Sequence, residues 1–162
     1  MSDKLQHTAL NSMADYSAAL DTLCSLAQRN LLIFDKNFDS IDFNSEAREN
    51  ALRRFLLANP ANRLYLLTHN ARAATLYCPR LLSLLRQFSH CMQIYQTPKH
   101  LLHLSEPFSV ADATHYTRRF HFDDMRGLLA QYDPEKARTL KAQFDGMWAA
   151  SRPGLTGTTT GL

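Results

Sequence analysis

The stretch PFSVADATHYTRRFHFDD, residues 107–124, gathers two histidines, two adjacent arginines and three aspartates, and it closely follows KHLLH at 99–103. Imidazoles exchange protons near neutral pH, and guanidinium forks grip phosphate or carboxylate oxygens. Such a set could serve acid–base catalysis, anion binding or metal ligation. The metal reading is the weakest. On the strand expected around residues 101–104, His100 and His103 fall on opposite faces because their separation is odd. No Cys/His pair has zinc spacing either. Neither a metal nor a cofactor is expected.

As a strand of period two, HYTRRFHF sends His115, Thr117, Arg119 and His121 to one side. Tyr116, Arg118, Phe120 and Phe122 go to the other, which reads as the core-facing side. The first set could line a groove in which Arg119 and a neighbouring histidine hold an anion. The ordinary alternative is a solvated face with Arg119 paired to Asp123 or Asp124. A second polar group, Asp35, Lys36, His69 and Arg72, follows two apolar runs. If those runs are parallel strands, these residues stand at the rim where open α/β sheets collect ligands.

The elements that must position these residues are legible from spacing. SMADYSAALDTLCSLAQRN (12–30) carries an apolar stripe at helical intervals, with Cys24 on its buried side. LLIF (31–34), RLYLLTH (63–69) and MQIYQT (92–97) suit strands covered on both faces. Between them lie a helix capped by Asn44 or Ser45 and closed before Pro60, and a helix over 78–88 with Pro79 in its first turn. The alternation predicts a parallel sheet with helices on its faces. Beyond Pro98, LLHL and FSVAD read as two strands, with a reversal at Asp112–Thr114 into a third. DDMRGLLAQY (123–132) reads as a short helix. Residues 133–151 form a clearer one, with Asp133 as N-cap, Pro134 next and Trp148 on the packing stripe. Residues 1–151 then make one domain, and RPGLTGTTTGL (152–162) a mobile tail.

Composition agrees with one globular domain: 162 residues, 45% hydrophobic and 20% charged. Three cysteines without CxxC spacing, and no export signal, make the cytoplasm the expected compartment. No apolar run is long enough to cross a bilayer. The net charge of +3 is modest, and no basic run or stacking-aromatic motif supports nucleic-acid binding.

The order of elements from Leu31 to Ser151 resembles a single phospholipase D-like unit. LLIFDKNFDSIDF looks like its first strand and loop, and ARENALRRFLLANPANRLYLLTH like the helix and strand that follow. FSVAD is similar to the strand ending in the aspartate of that superfamily's His-x-Lys-(four residues)-Asp motif. The chain also resembles an uncharacterised bacterial domain sometimes joined to acetyltransferases. The likeness implies a mixed sheet with helices on both faces. Placing Asp112 at the motif aspartate puts Ser105 at the histidine position and Pro107 at the lysine position. Serine without a base is a poor replacement for a nucleophilic histidine, and proline offers no charge. No histidine in this region has a lysine two residues on.

The reading that follows is a non-catalytic phospholipase D-like binding module with anion-binding candidates His69, Asp112, His115, Arg118 and Arg119. An acetyltransferase or other protein is the expected partner, together with a homodimer. The alternative is an enzyme of altered chemistry in which His69 or His115 acts as acid or base on a phosphate-bearing substrate.

Overall fold

The computed structural model describes residues 4–39 and 43–155. Eight strands form one mixed sheet: β1 (Gln6–Leu10), β2 (Asn30–Asp35), β3 (Arg63–Thr68), β4 (Met92–Gln96), β5 (Phe108–Ala111), β6 (His115–His121), β7 (Asp124–Gln131) and β8 (Arg152–Leu155). Their spatial order is β1-β7-β6-β5-β2-β3-β4-β8. Strands β2, β3 and β4 are parallel, as expected, and every other pairing is antiparallel.

The helices are α1 (Met13–Leu26), α2 (Glu46–Ala58), α3 (Ala71–Tyr77), α4 (Pro79–Gln87) and α5 (Pro134–Ala150). Their starts follow from local chemistry. Ser12, Ser45, Asn70 and Asp133 each accept a first-turn backbone N–H that the helix itself cannot pair. Ser45 is therefore the cap of α2, while Asn44 accepts the Arg80 N–H instead.

Helices α1–α4 cover one face and α5 the other. Within β2, Leu31 and Ile33 join the first core, with Tyr16, Leu20, Leu52, Phe55 and Leu84. Leu32 and Phe34 join the second, with Phe108, Val110, Leu140 and Phe144. Two-sided burial explains the unbroken apolar runs of the central strands. Trp148 packs as expected, stacked on Tyr95 with ring centroids 4.0 Å apart. Cys24 is buried on α1.

Four sequence expectations change. LLHL is not a strand: Lys99–Leu101 is a 3₁₀ turn, and Leu104 closes another turn onto the Leu101 carbonyl. Leu101 and Leu104 both pack on the α5-side core, and their spacing of three is a turn period. Residues 123–132 are not a helix; they contain β7, which follows β6 through a two-residue connection between His121 and Asp124. Leu129 enters the first core while Leu128 and Ala130 face the second, and burial on both sides hid the period of two. The expected tail begins with β8, which pairs with β4 and gives that strand a second neighbour. The remainder of that tail, 156–162, lies outside the described residues, as do 40–42 of the loop after β2. The N-terminal segment and residues 71–77, for which no element was expected, contribute the edge strand β1 and the helix α3.

Gly127 is required by the β6–β7 pairing. A Cβ there would lie 2.1 Å from the Arg118 carbonyl oxygen. Gly127→Ala should lower unfolding free energy by roughly 2–3 kcal/mol in urea titration. An unchanged midpoint would mean that the two strands separate freely at this point.

Candidate functional site

Asp112 ends β5 in the left-handed region (φ 57°), followed by Ala113 (φ 52°). Two such residues make the tight reversal into β6, a conformation aspartate tolerates better than most side chains. Its carboxylate accepts the backbone N–H groups of Gln28 (2.7 Å), Arg29 (2.8 Å) and Asn30 (2.9 Å). These charge-assisted bonds clamp the end of β5 to the start of β2. The hydrogen bonds the structure gives the Asp112 carboxylate are thus those of a structural clamp.

His115 stands at the same end, at the start of β6. Its ring is buried and lies edge-on to Tyr132, with centroids 4.6 Å apart. Nδ1 accepts the Tyr132 N–H at 3.1 Å, which makes that nitrogen the unprotonated one. The bond also holds Tyr132 in a left-handed backbone conformation (φ 58°).

His69 lies at the opposite rim, beyond β3, about a strand length (roughly 17 Å) away. Because β5 is antiparallel to β2 and β6 to β5, the C-terminal ends of β2, β3, β4 and β6 meet at this rim. The five candidates are thus divided between two ends of the sheet. His69 Nε2 donates to the Leu104 carbonyl at 2.7 Å, and Nδ1 accepts from the Thr97 hydroxyl at 2.6 Å. Phe34 and Phe122 meet the ring edge-on. Burial pushes the His69 pKa down, the Leu104 carbonyl opposes this, and nearby His103 and Lys36 push it further down. Both ring nitrogens are occupied in tying three segments together.

Arg119 was expected on a polar groove face. It is instead wholly buried, because α1 covers that side of β6. Its guanidinium donates to the Phe122 carbonyl at 2.6 Å and lies 4.9 Å over the Tyr16 ring. It pairs with neither Asp123 nor Asp124. Phe120, expected in the core, is 51% exposed, where the β6–β7 register shifts between Arg119 and His121.

The strand register sets Asp35, Pro107 and Arg119 in one row across β2, the chain entering β5, and β6. Asp35 is buried and accepts the Phe38 N–H at 2.8 Å, holding Phe38 at φ 62°. Burial drives the Asp35 pKa up, opposed by backbone N–H groups and the Arg119 charge. Burial, then the Asp35 charge, push the Tyr16 phenol up to about 12, against the Arg119 charge and the Thr117 and Ser109 hydroxyls. Sequence reading missed this buried polar layer, since Tyr16 sits on an apolar helical stripe and Thr117 on a polar strand face.

Of the five candidates, Arg118 alone lines a cavity at this rim. The cavity measures about 240 Å³ and lies between α5 and the segment entering β5. His103, Ser105, Glu106, Lys136 and Gln143 line it as well. Arg118 reaches Glu106 at 3.1 Å. Lys136 and Gln143 carry no motif; only their placement on α5 brings them here. Among the described residues, no three His, Cys, Asp or Glu side chains gather as metal ligands. None of the helices there is long and apolar enough to cross a membrane.

The chain belongs to the family described as Domain of unknown function (DUF7931), whose model matches residues 12–156. Among curated proteins none matches it in sequence. Its fold is similar to Nuc from Salmonella typhimurium, a phospholipase D family member. That match has 8% identity and a TM-score of 0.68, and covers 93% of this chain and 98% of that one. NucT from Helicobacter pylori is similar at 12% identity and TM-score 0.63, covering 93% and 99%. TrmBL2, an archaeal chromatin protein whose structure shows a novel mode of DNA binding, matches at 10% identity and TM-score 0.68, covering 91% of this chain. The chain spans about half, 54%, of that protein. The likeness establishes a phospholipase D-like α/β fold in a single domain.

Two expectations follow. Asp112→Ala returns the exposed Gln28 and Arg29 N–H groups to water and strips the part-buried Asn30 N–H of its acceptor, and should cost about 1–3 kcal/mol in chemical denaturation. Asp112→Asn, which keeps one acceptor and the left-handed preference, should cost about half as much. His69 titrates below its usual 6.5 in the folded protein. Below that pH the unfolded chain takes up a proton before the folded one, so stability falls on acidification from about 6.5 down to the folded pKa. Thermal melts of His69→Gln should show a flatter dependence over that window, and an equal slope would remove His69 as its source.

Proposed function

We propose that this member of the DUF7931 family is a non-catalytic phospholipase D-like module that binds a ligand or partner without cleaving a phosphodiester. The observation that carries the reading is the setting of Asp112 together with what precedes it. Asp112 closes β5 by accepting three N–H groups from the start of β2. Counting back along the motif places Ser105 and Pro107 where a phosphodiesterase would hold its nucleophile and its transition-state cation. The face positions beside Pro107 in its row belong to Asp35 and Arg119, both buried.

The histidines that could have replaced the lost nucleophile support the same reading. Both His69 nitrogens are engaged with Thr97 and Leu104. His115 lies at the far end of the sheet with Nδ1 committed to the Tyr132 N–H. As a module the domain works beside a separate catalytic protein, an acetyltransferase among the candidates, and as a homodimer.

The test is a sensitive assay with bis(p-nitrophenyl) phosphate, with and without divalent metal. The expected outcome is no nitrophenol release above buffer. Turnover that disappears in His69→Ala or His115→Ala protein would overturn the proposal in favour of an acid–base enzyme.

A further inference from the structure

The cavity beside α5 has a lining of mixed chemistry. Arg118, Lys136 and His103 contribute basic side chains to it. Leu104, Phe108 and Leu140 contribute apolar ones. Its volume of about 240 Å³ would hold about eight waters, which suits a compact organic molecule and not a polymer segment. Arg118 and Lys136 bring two cations to the lining against the Glu106 carboxylate. Glu106 occupies Arg118 at 3.1 Å, yet its side chain is 57% exposed. An ion pair that open to water is weak, so a competing anion can take the guanidinium.

We infer that this cavity is a binding site for a small organic anion, with a phosphomonoester or carboxylate head on Arg118 and Lys136 and an apolar body against Phe108 and Leu140. Glu106 acts as an internal competitor that the ligand displaces from Arg118. The inference rests on the binding-module reading and supplies its ligand class. Arg118 is the one contributor among the five anion-binding candidates read from sequence; Lys136 joins it from α5, two elements later in the chain. The fork of Arg118 suits two oxygens of one head group, and Lys136 supplies a second point charge. The aromatic and leucine side chains then discriminate against inorganic anions, which cannot use them.

Nitrogen-15 NMR titration with phenyl phosphate, phenylacetate and inorganic phosphate tests this on the full chain. Phenyl phosphate or phenylacetate should bind saturably, with shifts centred on residues 103–108, on Arg118 and on 136–143. The organic probe that binds tighter identifies the preferred head group, and inorganic phosphate should bind at least about tenfold more weakly than it. Arg118→Met and Lys136→Met should each weaken binding by about tenfold or more. Glu106→Gln should strengthen it severalfold. Because the wild-type shift map needs no variant, a misfolded mutant does not decide the matter. The inference is sunk if neither organic probe shifts these residues, or if Glu106→Gln binds no more tightly. Hydrolysis of bis(p-nitrophenyl) phosphate, followed separately, bears on the non-catalytic reading and not on this site.

Discussion

The clamp between Asp112 and the first three N–H groups of the Gln28–Asn30 turn sets the geometry on which the site depends. It pins an antiparallel strand beside a parallel one, and so fixes the register of β5 against β2 and of β6 against β5. From that register follow the row of Asp35, Pro107 and Arg119 and the position of Ser105 at the rim. A carboxylate suits the task because it accepts several N–H bonds at once and accommodates a left-handed turn residue.

Burial on both faces is the second constraint. With α1 over one side of β6 and α5 near the other, the strand is buried through Thr117 and at Arg119 and opens to solvent toward Phe120 and His121. Arg119 finds its partners inside the protein, in the Phe122 carbonyl and the Tyr16 ring, with the Asp35 charge nearby. The Arg119 charge offsets only part of the cost of burying Asp35, whose pKa burial still drives up. Polar residues that resemble a ligand-binding face in sequence therefore serve the interior.

At the rim, the chemistry divides between fixed and free groups. His69 is fixed, joining the end of β3 to Thr97 and Leu104. Arg118 and Lys136 stand beside an open cavity, with only Glu106 opposing. Under the binding-module proposal, these charges are the groups that would hold an anion. The phospholipase D-like scaffold supplies the rim, and the side chains at it determine what the rim does.

Local chemistry made much of the fold legible. The Ser45 and Asp133 caps, Pro79 and Pro134, the helical stripe of α1 and the apolar runs of β2, β3 and β4 are encoded within a few residues of where they act. The reversal at Asp112 was readable for the same reason. Where the sequence misled, the deciding partner was remote. β7 resembled a helix because its leucines serve two cores at once. β8 resembled a tail because only the open edge of β4 makes it a strand. Arg119 resembled a surface residue because nothing nearby in the chain reveals that α1 lies over it. Spacing along the chain reports a residue's own element. Which element covers it, and which side chains from distant segments share its cavity, are consequences of packing and are set only when the sheet is assembled.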